Sequence, residues 1–309
     1  MKASDKDVLT TKLYFGAAFK ALVVPFNENP KHVKAFQNLD VVVEFRADDD
    51  ANPLACYLVF LTEANAAKSE QGKRFKVFQG EYPGSIKMAD GSTFSPTHIK
   101  MYFKSIKSLL GVFKGSSPLE MLGIMSPLFK NIHKKGMLKF LFLMLELMLA
   151  MPTAKPGPDK PFKQYMKVKI SLYLITAAMS TANKLGWQDM VDFTKRQTDR
   201  IYQFQCGATL DANGKEIYPE VGAYLRVKMG QSKAGRGVYT RKRPFVLLKF
   251  PNPDGAMKIL TGEYAFVEAV EKGCVEIVGS GDSFAVQFNN VMTRCQNMLI
   301  PDPKPEKKK

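Results

Sequence analysis

The residues that most enzymes rely on are scarce in this chain. Its 309 residues include only three histidines, four cysteines and one tryptophan. His32, His98 and His133 stand far apart, no H-E-x-x-H pattern occurs, and no serine sits in a G-x-S-x-G elbow. Zinc hydrolysis and α/β-hydrolase chemistry therefore lack their usual carriers. Gly279-Ser280-Gly281 has neither the third glycine of a dinucleotide loop nor the Gly-Lys-Ser/Thr of a phosphate loop, and reads as a helix-entry turn. Asp48-Asp49-Asp50 falls in a hairpin turn and lacks the twelve-residue calcium-loop pattern. The expectation is a protein that is not an enzyme, with no cofactor and no metal.

Other absences bound the setting. Cys56, Cys206, Cys274 and Cys295 are widely spaced with no C-x-x-C pair, which predicts reduced, buried thiols and a cytoplasmic location. Met1 to Asp7 leads into no sustained apolar core and no small-residue cleavage pattern, and Lys307-Lys308-Lys309 matches no peroxisomal address. The longest apolar run, Met137 to Met151, is interrupted by Lys139 and Glu146 and falls short of the ~20 residues that span a bilayer. Acidic residues are also in deficit, 29 against 45 Lys and Arg, giving a net charge of +16. That imbalance favours an anionic partner: a membrane surface, a lipid head group or nucleic acid. Nucleic acid fits poorly, because the densest basic group, Lys233 to Arg243, has only Tyr239 as a stacking platform.

What the chain does contain is material for two cores. Helical spacing covers Leu13 to Leu22 and Lys31 to Asn38, and strands are expected over Leu39 to Arg46, Leu54 to Thr62, Arg74 to Tyr82 and His98 to Lys104. A helix over Ser105 to Phe113 follows. In the second half, helices are expected over Phe162 to Lys184 and Trp187 to Gln197. Strands are expected over Arg200 to Cys206, Ala223 to Met229, Arg236 to Lys242 and Pro244 to Phe250. Thr97 to Gly115 can be laid on Pro244 to Gly262 without a gap: Ile99, Met101 and Phe103 fall on Val246, Leu248 and Phe250. Weaker echoes precede it, with Leu13-Tyr14 on Leu172-Tyr173, Asp50-Ala51-Asn52 on Asp211-Ala212-Asn213, and Cys56 to Val59 on Gly222 to Val227. A period near half the chain implies tandem domains, not a solenoid. The expected division is a first domain over 1–151, a Pro-rich linker over 152–161, a second domain over 162–300 and a disordered basic tail over 301–309.

The second copy carries a further pattern. Strand Pro244 to Phe250, capped helix Ala256-Met257-Lys258-Ile259-Leu260-Thr261-Gly262, short helix ending at Glu271-Lys272-Gly273, apolar Cys274-Val275-Glu276-Ile277 and helix Phe284-Ala285-Val286-Gln287-Phe288 together resemble the C-terminal half of the sterol carrier protein, or non-specific lipid-transfer protein, family. The resemblance implies an α+β fold of two similar domains, each a small, mainly antiparallel sheet covered by helices around an apolar pocket for sterols, fatty acids or acyl-CoA.

The function expected on that basis is binding or transfer of a lipid. Met257, Leu260, Phe266, Phe284, Phe288 and Met292 would line the pocket in the second domain, and Met101, Phe140, Met144 and Met148 in the first. Phe284, Phe288, Val291, Met292, Cys295 and Leu299 make one helical stripe, which equally suits a plain core helix. Arg236, Arg241, Lys242 and Arg243 would dock a lipid head group or the surface of an anionic membrane; their ordinary alternative is the solvated face of a hairpin. The partner is thus a lipid ligand, with peripheral membrane contact in addition and oligomeric state open. A rival reading is a protein–protein assembly module that uses the duplicated fold without a ligand. An acyl-CoA enzyme would need a nucleophile and base that the sequence does not offer.

Overall fold

The computed structural model describes residues 4–48, 53–114, 127–279 and 282–300. The echo at Asp50-Ala51-Asn52, the Ser280-Gly281 turn and the tail over 301–309 lie outside the described residues. The chain is of mixed α+β class and divides into two compact units, Met1–Met144 with Asn297–Lys309, and Leu145–Gln296.

The first unit opens on helix α1, Asp5–Glu28. Ser4 starts it with a capping box, its Oγ accepting the Asp7 N–H at 3.2 Å while Asp7 Oδ2 accepts the Ser4 N–H at 3.0 Å. The helix widens over Tyr14–Ala18, where Gly16, Ala17 and Ala18 add little bulk. It also turns at Leu22, so the missing N–H of Pro25 falls on an interruption already present. One continuous element thus replaces the shorter helix expected from the sequence. It is long and apolar enough to cross a membrane, but 72% of its most apolar window is buried inside the protein, which makes it a core helix. Helix α2, Pro30–Ala35, follows, capped by Asn29.

Strands β1, Val41–Ala47, β2, Leu54–Phe60, and β3, Phe75–Gln79, form an antiparallel meander, with helix α3, Glu63–Lys68, between the last two. A two-stranded ribbon, β4 (Ile86–Lys87) with β5 (Thr93–Phe94), precedes β6, Thr97–Phe103, which returns parallel to β1. The sheet order is β3-β2-β1-β6. Helix α4, Ile106–Lys114, and helix α5, Met137–Leu145, complete the described helices that matter here.

The second unit repeats this plan. Helix α6, Pro161–Lys184, and helix α7, Gln188–Lys195, lead into β7, Arg200–Cys206. After the small ribbon of β8 (Thr209–Leu210) and β9 (Glu216–Tyr218) come β10, Val221–Lys228, and β11, Gln231–Arg236. Strand β12, Val246–Phe250, runs parallel to β7; helices α8, Pro253–Leu260, and α9, Phe266–Glu271, follow. Strand β13, Glu276–Gly279, adds an antiparallel edge before helix α10, Asp282–Asn297. The order is β11-β10-β7-β12-β13, so its first four strands match the first sheet in order and sense.

The sequence placed a strand over Arg236 to Lys242, but β11 ends at Arg236. Met229 and Gly230 both have positive φ, 48° and 78°, and make a two-residue hairpin turn that pairs β11 directly with β10. The division between units falls at Met144/Leu145 and not in the Pro-rich stretch. The reason is Lys167, fully buried in α6, whose Nζ donates to the carbonyls of Leu149 at 2.9 Å and Met151 at 2.8 Å and ties the turn Glu146–Ala150 to the second unit.

The two sheets share a less obvious feature. β1 is buried on both faces through Val41–Phe45, and β7 through Ile201–Phe204, yet each holds one polar side chain there: Glu44 and Gln203. Glu44 Oε1 accepts the backbone N–H of Tyr82 at 3.0 Å, and Gln203 Oε1 that of Tyr239 at 2.9 Å. The cross-strand partner of Glu44 is Tyr57, whose ring lies 5.4 Å from Tyr82; the partner of Gln203 is Tyr224, 4.9 Å from Tyr239. The same acceptor, donor and tyrosine pair thus recur at corresponding places.

Glu44→Gln keeps the oxygen that Gln203 uses and is expected to destabilise the first unit by about 1 kcal/mol, whereas Glu44→Leu also strands the buried Tyr82 N–H at a further ~1–3 kcal/mol. Denaturant unfolding of both variants checks this, and equal losses would contradict it. Burial lowers the Lys167 pKa from 10.5 to about 8. The folded state then binds fewer protons than the unfolded one between those values, so stability relative to Lys167→Met rises with pH across that window. Denaturation midpoints of the two proteins between pH 7 and 10.5 measure the slope.

Candidate ligand cleft

In the second unit an open cleft of about 570 Å³ is lined by Thr198, Asp199, Arg200, Lys242, Arg243, Pro244, Phe245 and Gly279. Three elements position it. β7 begins at Arg200, β12 is entered through Pro244-Phe245, and β13 closes the edge at Gly279, opposite Val246. A Cβ at Gly279 would lie 2.3 Å from the Phe245 carbonyl oxygen, so only glycine lets the edge strand approach this closely.

The Arg200 guanidinium lies 3.9 Å from the Phe245 ring centroid and 4.9 Å from that of Phe284, with the two rings edge to face at 4.9 Å. Such stacking contributes roughly 0.5–2 kcal/mol; the guanidinium also hydrogen-bonds the Tyr202 side chain, and its other in-plane N–H groups can meet an anion. Asp199, the carboxylate of the lining, is already held by Arg226, Nε and Nη2 each donating at 2.7 Å, which keeps its pKa below the usual range. Lys242 Nζ donates to the Asp199 carbonyl. Among the described residues no carboxylate pairs with Arg200 or Arg243, so the cleft is net cationic. Its chemistry suits a carboxylate, sulfate or phosphate group.

Of the basic residues singled out from the sequence, Lys242 and Arg243 line the cleft. Arg236 lies instead over the Tyr173 ring at 5.3 Å, and Arg241 is exposed. The apolar candidates separate. In the second unit Met257, Leu260, Phe288 and Met292 are buried, while Phe266 and Phe284 are half-buried. Phe288 stacks on Tyr202 at 4.7 Å and meets Phe204 at 5.4 Å. In the first unit Met101 and Phe140 are buried, with Phe140 6.0 Å from both Phe45 and Phe60, a space filled by rings. Met144 is half-buried. Met148 is 54% exposed and falls in the second unit.

Arg200 and Phe245 were not among the expected site residues. An arginine opening a mostly buried strand, beside Asp199, was the available signal. Also unexpected is a polar cluster in the first unit, where Glu44 accepts from the Tyr102 hydroxyl at 2.8 Å and meets His98 Nε2 at 2.9 Å. His98 has a lowered pKa, because burial outweighs the attraction of Glu44; Tyr102 is pushed up to about 12 by burial and by Glu44. Glu44 serves as the shared acceptor of the cluster, and the buried hydroxyl of the adjoining Tyr82 has no hydrogen-bond partner among the described residues. All four cysteines are unpaired; burial raises Cys206 and Cys295 to about 12 and Cys56 further, so they stay protonated. No group of three metal-ligating side chains occurs among the described residues.

No family model and no curated protein matches the chain. Among solved structures it is similar to Sterol Carrier Protein 2 from Yarrowia lipolytica in its apo form, with 15% identity over 41% of this chain and 93% of that one and a TM-score of 0.31. It is also similar to the sterol carrier protein domain 2 of Helicoverpa armigera, at 16% identity over 46% of this chain and 95% of that one, TM-score 0.29. A third is the inverting sec-alkylsulfatase Pisa1 from Pseudomonas sp., at 14% identity over 65% of this chain and 27% of that one, TM-score 0.27.

A lowered His98 pKa means that stability present above pH ~6.5 is lost as the pH falls below it. Proton NMR should place the His98 midpoint below 6.5, and Glu44→Gln should lower it further by removing the attraction; a midpoint above 6.5 would show that the ion pair dominates.

Proposed function

We propose that this chain is a non-enzymatic lipid-binding protein whose second unit receives the anionic group of an amphiphile, such as a fatty acid, acyl-CoA or phospholipid. The observation that carries the reading is the cleft: Arg200 stacked on Phe245 and Phe284, with Lys242 and Arg243 beside it and no free carboxylate in its lining. Its volume of about 570 Å³ lies within the ~300–1,000 Å³ of small-molecule sites. Phe284, 4.9 Å from the Arg200 guanidinium, begins the apolar stripe of α10 that continues through the buried Phe288 and Met292, and on this reading the acyl chain enters beside it by displacing packed side chains. Each CH2 so buried contributes about 0.8 kcal/mol, so affinity needs no further polar contact.

The same proposal takes the two units to be copies of one ancestral domain. Support comes from the matching strand order, the parallel return of β6 and β12, and the recurrence of the Glu44 and Gln203 arrangement. Only the second copy carries an arginine on two aromatic rings at the start of its first strand; the first has Val41 at the head of β1. Binding is accordingly assigned to the second unit. Four unpaired thiols suit a reducing, cytoplasmic setting.

Titration with a fluorescent fatty acid tests the reading. The wild-type chain should bind it, Arg200→Gln should weaken binding by about tenfold or more through loss of one charge-assisted pair, and an uncharged alcohol of the same chain length should not distinguish the two proteins. Equal affinity of wild type and Arg200→Gln for the acid would remove the cleft from the account.

A further inference from the structure

Helix α5, Met137–Leu145, is apolar on both sides. Met137, Phe140 and Leu143 face inward and are buried, while Leu138 and Phe142, one turn apart, are 53% and 64% exposed. The helical turn over 127–131 before it behaves in the same way, with Phe129 and Ile132 turned outward. That turn is held by Asn131, which caps the outer edge of β6: its Nδ2 donates to the Lys100 carbonyl at 2.7 Å and its Oδ1 accepts the Lys100 N–H at 3.3 Å. The outward apolar side chains are therefore fixed by anchored backbone.

The charge around them is of one sign. Residues 127–145 contain Lys130, His133, Lys134, Lys135 and Lys139 and no aspartate or glutamate. Lys130, Lys135 and Lys139 are exposed, and among the described residues none of them pairs with a carboxylate. An apolar face set among cations is complementary to an anionic lipid surface, where hydrocarbon lies beneath acidic head groups. At nine residues the helix is about 14 Å long, half of the ~30 Å hydrocarbon core, so it can lie in the interface but not span it.

We infer that this face of the first unit, Phe129, Ile132, Leu138 and Phe142 with Lys130 and Lys135 beside them, docks the protein on an anionic phospholipid bilayer. The lysines draw it to the surface and the apolar side chains enter the head-group boundary. The inference uses residues of the first unit alone and does not depend on the cleft of the second.

Co-sedimentation of the full chain with vesicles tests it. The wild type should bind phosphatidylcholine vesicles containing phosphatidylserine and bind pure phosphatidylcholine, or either vesicle in high salt, at least about tenfold more weakly. Leu138→Ser/Phe142→Ser should lose at least about tenfold in affinity for the serine-containing vesicles with an unchanged melting temperature, since both positions are exposed. Lys130→Glu/Lys135→Glu should lose the preference for the anionic lipid. Fatty-acid binding should be the same in all three proteins, which separates this test from that of the cleft. Wild-type chain that ignores phosphatidylserine, or a Leu138→Ser/Phe142→Ser protein that still binds fully, would overturn the inference. So would a stable wild-type dimer that dissociates on the same substitution, because the face would then be a protein interface.

Discussion

A backbone N–H that arrives at the middle of a doubly covered strand must find an acceptor there, because water is excluded and a stranded donor costs on the order of 1–3 kcal/mol. Both sheets meet this constraint with one side chain. Glu44 in β1 and Gln203 in β7 each take the N–H of a tyrosine from the connection that precedes the returning strand. That hydrogen bond fixes where the connection crosses the sheet. It thereby sets where β6 and β12 begin and lets them lie parallel to the first strand. In the second unit the stretch after Tyr239 runs directly into Lys242, Arg243 and Phe245, so the position of the cleft follows from the same contact.

From this common frame the two units differ in what they do with their apolar space. The first fills it: Phe45, Phe60 and Phe140 meet ring to ring, and Glu44 gathers Tyr102 and His98 in place of an amide. The second keeps an uncharged acceptor, gathers positive charge at the sheet edge and opens a cleft beside two aromatic rings. The second unit thus has a basic, aromatic cleft, and the first an outer helix with exposed apolar side chains among lysines.

Much of the architecture was legible in the sequence because it rests on periodicity. Alternation gave β7 to the residue and β6 within one, and the gapless overlay of Thr97 to Gly115 on Pro244 to Gly262 matches strands and helices that do occupy corresponding places. What failed to show had a different physical origin. The start and register of β11 depend on positive φ at Met229, a residue that rarely adopts it. The unit boundary depends on a lysine buried in α6, which the composition of the linker does not report. Arg200 does not stand out in the sequence because its stacking partners, Phe245 and Phe284, are remote in the chain and brought to it by β12 and α10. The outward face of α5 was hidden in a run apolar on every side, where sequence alone does not say which half is covered.

The central claim is that the chain carries an anionic amphiphile in its second unit. The most direct measurement is a native mass spectrum of the full chain purified without detergent, followed by organic extraction of whatever it retains. The account predicts a species heavier than the polypeptide by one lipid with an acidic group, lost when Arg200 is replaced. A spectrum of bare polypeptide, with no stoichiometric lipid in the extract, would contradict it.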